Sequence, residues 1–160
     1  MEKNLENAIF AQGCFWGVED IFRKVPGVVD VRVGYTGGHT QNPTYQEVCG
    51  HSTGHAEAVK VTFDSVLVSY EKLLEVFWGS HNPTTLNRQG PDVGDQYRSA
   101  VFYTDEIQKS LAEKSKKELS ESGKWDSEIV TEIVPLDIFY DAEEYHQRYF
   151  EKNVGGTCHI

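Results

Sequence analysis

Asn7-Ala-Ile-Phe-Ala-Gln12, Gly13-Cys14, Phe15-Trp-Gly-Val-Glu-Asp-Ile-Phe-Arg-Lys24 and Val28-Val-Asp-Val-Arg-Val-Gly-Tyr35 follow one another along the chain. The first segment is a short apolar run with strand character, and Gly13 breaks it. From Phe15 the apolar period changes: Phe15, Val18, Ile21, Phe22 and Val25 share one side of a helix. Pro26-Gly27 stops that helix. Residues 28–35 alternate in the strand manner, and Gly37-Gly38 ends them.

Strand, helix and strand in this order set the pattern for the rest. A long polar loop is expected through Gly54, then a strand over residues 56–63. A helix follows over 69–78, with Ser69 as its N-cap and Lys72 where a capping box would want Glu or Gln. Residues 79–94 are rich in Gly, Pro and Asn and form a loop of a length that is often functional. A strand is predicted over 99–103. Thr104, with Asp105 and Glu106 just after it, opens a helix that Gly123 ends. A strand over 128–134, closed by Pro135, and a last helix over 140–152 complete the series. This alternation predicts an α/β or α+β sandwich with helices packed on a mixed sheet. One domain over residues 1–160 suits the length, and the glycine-containing tail over 151–160 is expected to be flexible.

Composition narrows the function classes. With 15 Lys and Arg against 25 Asp and Glu, the net charge is −10. That balance argues against nucleic acid or an anionic membrane as partner. No apolar stretch approaches a membrane span, and the first residues hold no apolar signal core, so a soluble cytoplasmic protein is the expectation. Three cysteines, Cys14, Cys49 and Cys158, cannot all pair within one chain. In a reducing compartment they read as catalytic, redox-active or buried.

Four segments carry chemistry. Gly13-Cys14-Phe15-Trp16-Gly17 stands at a strand-to-helix junction, where backbone N–H groups and the positive helix end favour a thiolate. That lowers the thiol's pKa and makes Cys14 a nucleophile. Phe15 and Trp16 add an apolar wall. The plain alternative is a small hydrophobe between core aromatics. In the second segment, Pro43 to Val59, Glu57 lies between two alanines, where a carboxyl is pushed toward its neutral form and can donate a proton. From alternation alone, an edge-strand Glu57 facing water is the preferred reading. His51 and His55 lack a ligand cluster, so no metal is expected, and Cys49 reads as buried and inert. In the third, Asp92 and Tyr97 offer a carboxylate and a hydroxyl within ordinary turn chemistry. In the fourth, Gly155-Gly156-Thr-Cys158 puts a thiol on a mobile arm.

Taken together and in this order, the segments resemble the A-type peptide methionine sulfoxide reductases over nearly the whole chain. Gly13-Cys-Phe-Trp-Gly17 carries most of the likeness. Gly54-His-Ala-Glu-Ala-Val59 and Gln96-Tyr-Arg-Ser99 support it. The resemblance implies a two-layer α/β sandwich with a ferredoxin-like core, and neither metal nor organic cofactor. It implies that Cys14 attacks the sulfoxide sulfur and Glu57 protonates the departing oxygen. Tyr45 and Tyr97 would hydrogen-bond that oxygen, Phe15 and Trp16 would hold the methyl group, and Asp92 would order the site. The resulting Cys14 sulfenic acid would condense with Cys158, and thioredoxin would reduce the disulfide. Substrates would be the S epimer of methionine sulfoxide, free or in oxidised proteins, and the activity one of protein repair. Pro91 departs from the Asn common at that place. With the chain ending two residues after Cys158, direct reduction of a Cys14–Cys158 disulfide is the simpler expectation.

Two rival readings remain open at this level. A cysteine hydrolase or acyltransferase would pair Cys14 with His51 or His55 as base. A methionine-binding module would use Phe15 and Trp16 alone.

Overall fold

Strand β1 (Leu5–Gln12) runs into helix α1 (Phe15–Arg23), which leads to strand β2 (Val28–Thr36). These come from a computed structural model that describes residues 4–50 and 52–149. Gly13, at φ +112, makes the break between β1 and α1 in backbone space that other residues avoid. A short helix, α2 (Tyr45–Cys49), then precedes strand β3 (Ala56–Asp64), and helix α3 (Tyr70–Gly79) follows it. Two tiny strands, β4 (Arg88–Gln89) and β5 (Asp92–Val93), form a hairpin. After a 3-10 turn at Asp95–Tyr97 come strand β6 (Ser99–Tyr103) and helix α4 (Glu106–Glu121). Strands β7 (Glu132–Pro135) and β8 (Tyr140–Asp141) complete the series.

The main sheet has the order β7-β6-β1-β3-β2-β8. All its pairings are antiparallel except β6 with β7. Its middle four strands, β6-β1-β3-β2, are two interleaved βαβ crossovers through α1 and α3, which is the ferredoxin-like arrangement. The α+β sandwich with a mixed sheet expected from the sequence is thus the observed one.

Period-two alternation sorts the strands onto two faces. Ala8, Phe10, Val31, Val33, Val59, Val61, Phe63 and Val101 pack with Phe22, Leu73 and Phe77 in the helix-side core. There Phe10 stacks on Phe22 at 5.2 Å and on Phe77 at 5.1 Å. On the other face Ile9, Ala11, Ala56, Ala58, Ala100 and Phe102 pack against Val134, Leu136 and Phe139. The small residues let that C-terminal strap lie close. At Gly34 the strap is closest: a Cβ there would meet the Phe139 ring at 2.6 Å and overlap the Tyr140 carbonyl.

Three expectations need correction. The loop through Gly54 contains α2, which starts with a full capping box: Thr44 accepts from the Glu47 amide and Glu47 from the Thr44 amide. Thr44-x-x-Glu47 is legible as that signal. Of the helix expected over 140–152, residues 140–148 are not α-helical, while Tyr149, the last described residue of the segment, is. Residues Tyr140–Asp141 pair with β2 instead, and a 3-10 turn spans Glu144–His146. The cause is competition from the open edge of β2. Ala142 N–H donates to the Val33 carbonyl, and the Gln147 amide both donates to that carbonyl and accepts from Val33 N–H. The strand expected over 128–134 is shorter: Val130 N–H is taken by the Pro83 carbonyl, and pairing with β6 begins only at Glu132. No helix among the described residues is long and apolar enough to cross a membrane.

Candidate active site

Cys14 is the N-cap of α1, with an extended backbone (φ −56, ψ 118) and no capping bond from its side chain. The sulfur thus stands at the positive end of the helix. The next amide, Phe15 N–H, donates to Glu57 Oε1 at 3.3 Å. This bond crosses from α1 to β3 and sets the carboxyl beside the thiol-bearing residue.

Glu57 is in phase with Val59, Val61 and Phe63, on the helix side of a strand in the middle of the sheet, and 1% exposed. The edge-strand alternative is therefore overturned. Alternation does govern Glu57, but it points the side chain inward. Directly across the β2–β3 ladder stands Tyr35, also buried.

Two phenols close over this pair. Tyr45 opens α2, and its hydroxyl hydrogen-bonds the Cys49 sulfur. Tyr97 ends the 3-10 turn after the β4–β5 hairpin. Burial pushes both phenols far above the ordinary tyrosine range, with the Glu57 charge adding to it. Cys49, Asp92 and Cys14 push Tyr97 further. Both hydroxyls consequently stay protonated and serve as donors at any working pH. Asp92, half-buried on β5, is near enough for its charge to act on Tyr97. The hairpin is held from below by Gln89, whose side chain accepts from Asn82 N–H and donates to the Asn82 carbonyl.

Phe15 and Trp16 form the apolar side. Phe15 is buried against Tyr35 (5.7 Å between ring centroids), His146 (5.3 Å) and Tyr45 (6.4 Å). Trp16 stacks on Tyr149 at 3.8 Å and nearly parallel, and its Nε1–H donates to His146 Nδ1 at 2.9 Å. Seven of the eight candidate residues, Cys14, Phe15, Trp16, Tyr45, Glu57, Asp92 and Tyr97, are thus gathered around one end of the sheet. The eighth, Cys158, lies outside the described residues, as does the tail over 151–160.

Four residues of this region were missed in the sequence. Tyr35 donates from its hydroxyl to Glu143 Oε1 at 2.9 Å, and Glu143 Oε2 accepts from Tyr45 N–H at 3.0 Å. His146 and Tyr149 brace Trp16. Burial lowers the His146 pKa against an opposing pull from Glu143, so the ring is neutral and can accept at Nδ1. Glu143 is held below the usual carboxylate range: burial raises it, but the Tyr45 and Glu143 amides, the Tyr35 hydroxyl and His146 outweigh burial. Three of the four sit in the segment expected as a helix, which hid them. Cys49, expected to be buried, is half-buried, and burial together with the Glu57 and Glu143 charges keeps it a protonated thiol despite the Tyr45 bond. His55 is engaged elsewhere: Nδ1 accepts from Gly38 N–H and Nε2 contacts the Thr40 carbonyl. It braces the loop after β2 and is no base for Cys14. His51 lies outside the described residues.

The chain as a whole is similar to known proteins. The profile of the family described as Peptide methionine sulfoxide reductase matches residues 6–160. A peptide methionine sulfoxide reductase MsrA of Methanothermobacter thermautotrophicus is 59% identical over 155 residues, covering 97% of this chain and 92% of the relative. Among solved structures, reduced Mxr1 from Saccharomyces cerevisiae is 38% identical with a TM-score of 0.90, covering 97% of this chain and 89% of that one. Mxr1 in complex with Trx2 is also similar, at a TM-score of 0.66 and 28% identity, covering 93% of this chain and 89% of that one.

Proposed function

Because the chain belongs to the peptide methionine sulfoxide reductase family, we propose that it reduces methionine sulfoxide to methionine with Cys14 as nucleophile and Glu57 as acid. The observation that carries this reading is the Phe15 N–H to Glu57 Oε1 bond, which ties the acid to the residue next to the thiol.

The first step moves one oxygen. The Cys14 thiolate, favoured by the α1 N-terminus, attacks the sulfoxide sulfur. The oxygen leaves sulfur only as it gains a proton. With Oε1 engaged by Phe15 N–H, the proton of Glu57 belongs on its other oxygen, which passes it to the sulfoxide. Tyr45 and Tyr97, protonated at working pH, donate to the same oxygen and spread its developing charge. The protonated oxygen passes as hydroxyl to the Cys14 sulfur while the new sulfur–sulfur bond breaks, so methionine is released, Cys14 is left as a sulfenic acid, and two electrons have passed from the thiolate to the sulfoxide. The Trp16 face and Phe15 take the methyl group, where a polar substituent would lose hydration without return. Asp92 orders Tyr97 on the hairpin side.

The second half returns those electrons. Cys158 condenses with the sulfenic acid, giving a Cys14–Cys158 disulfide and water. Thioredoxin then reduces the disulfide by thiol exchange, a role supported by the yeast relative that was solved with a thioredoxin bound. A thioredoxin-fed cycle also favours the cytoplasm as the site of action. We read residues 1–160 as one reductase domain, with 151–160 carrying the resolving thiol.

Mass spectrometry after exposure to a sulfoxide tests the assignment. A Cys14–Cys158 disulfide is the expected product. Cys14→Ser should form no methionine, and Cys158→Ser should form about one per enzyme and then stall with thioredoxin as donor. Full thioredoxin-driven turnover by Cys158→Ser would remove Cys158 from the cycle.

A further inference from the structure

We propose that Glu143 is a positioning residue for the first chemical step, fixing where the Tyr45 hydroxyl stands relative to Glu57. The inference rests on the roles given above to Tyr45 and Glu57.

Helix α2, which carries Tyr45, is five residues long, too short to hold itself. Of its residues only Val48 is buried, so packing alone anchors it weakly. Its capping box is internal to the helix. Thr44 and Glu47 serve one another, which leaves the first helical amide, Tyr45 N–H, needing an outside acceptor. Glu143 Oε2 supplies it across 98 residues of sequence. The same carboxylate takes the Tyr35 hydroxyl on Oε1. Tyr35 is the residue directly opposite Glu57 in the ladder.

One carboxylate therefore spans two parts of the site. One oxygen is tied to the strand pair that carries the acid, the other to the helix that carries the donor. Being ionised, it offers an acceptor on both oxygens, and both partners are donors. A glutamine at this place has one acceptor oxygen and one NH2 group. Whichever way it turns, a donor faces a donor and one of the two ties is lost. Ring contact of Tyr45 with His146, at 4.4 Å between centroids, would limit the slip but not its direction.

The test is a single-turnover double-mutant cycle on the full chain, with N-acetyl-methionine sulfoxide as probe and no reductant. Glu143→Gln should slow methionine formation at saturating probe by roughly tenfold to a hundredfold, with half-saturation moved less than about threefold. In a Tyr45→Phe background, which has no hydroxyl to position, the same substitution should cost nothing further. Tyr35→Phe, which removes one tie and keeps the carboxylate, should show the same dependence on Tyr45. A Glu143→Gln loss that adds in full to the Tyr45→Phe loss would overturn the proposal. So would a wild-type rate in Glu143→Gln. If Tyr45→Phe alone turned over at the wild-type rate, the role given to Tyr45 would fall first, and the two failures would be told apart. Should Glu143→Gln lower the thermal midpoint below assay temperature, the Tyr35→Phe and Tyr45→Phe pair decides the question by the same criterion.

Discussion

The indole Nε1–H of Trp16 donates to Nδ1 of His146 at 2.9 Å, while Tyr149 lies flat on the indole face at 3.8 Å. The ring proposed to receive the substrate methyl group is thereby fixed at its edge and on one face by residues from the far end of the described chain. His146→Phe keeps an aromatic ring there but loses the acceptor. One lost hydrogen bond of about 1 kcal/mol should weaken sulfoxide binding about fivefold. The saturating single-turnover rate should change by less than about threefold, because the group that moves holds the substrate and not the proton. The concentration dependence of a single turnover reads both. A loss confined to the saturating rate would place His146 in the chemistry instead.

The same histidine makes stability depend on pH. Burial lowers its pKa from 6.5, against the pull of Glu143. The unfolded chain therefore binds a proton before the folded one does as pH falls. Between the unfolded value and the lower folded one, the unfolded state holds more protons, so stability is lost with falling pH. Glu143, lowered from 4.5, keeps its contribution above the carboxylate range and loses it only further down. The urea midpoint should fall from about pH 7 to about pH 5.5 in the native chain. In His146→Phe that slope should be shallower. Parallel slopes in the two proteins would assign the effect to other groups.

Glu57→Gln should leave sulfoxide binding within about threefold and slow the first step by about a hundredfold to ten-thousandfold, the range for removing a positioned proton donor. The amide can still accept from Phe15 N–H, so the site's shape is kept. Stopped-flow detection of methionine formation in a single turnover is the direct measurement. An unchanged rate would take the proton from another source.

Much of this was legible in the chain because local and long-range signals agreed. Residues 7–35 change apolar period twice at Gly13 and Pro26-Gly27, and the structure breaks at those places. Glu57 was harder. Its neighbours Ala56 and Ala58 are as apolar as Val59, so single-strand alternation could not tell inside from outside. Only the position of β3 between β1 and β2 decides it. Over residues 140–148 the aromatic spacing fits a helix, while the competitor, the open edge of β2, lies more than a hundred residues earlier. Glu143 and His146 could not be found until that pairing was known. Val33, whose backbone binds Gln147, carries no side-chain sign of it.

That pairing supplies the last prediction. Gly34 faces the strap so closely that a methyl group would press into the Phe139 ring and the Tyr140 backbone, neither of which can swing aside as a long side chain can. Gly34→Ala should therefore destabilise the protein by about 1–3 kcal/mol, the usual range for overpacking. The effect should reach the site as well. Tyr140–Asp141 pairs with β2 at Gly34 and Tyr35, and the residues just after it are Ala142, bonded to Val33, then Glu143 and His146. Lifting the strap from Gly34 moves the anchors of Tyr45 and Trp16 together. Urea unfolding and the saturating single-turnover rate should consequently both fall in this variant. Ala58→Gly, on the paired strand and the same face, should lose stability without the loss of rate, since it removes contact but pushes nothing away. Equal rates in Gly34→Ala and the native chain would mean that the strap's closeness matters for folding alone.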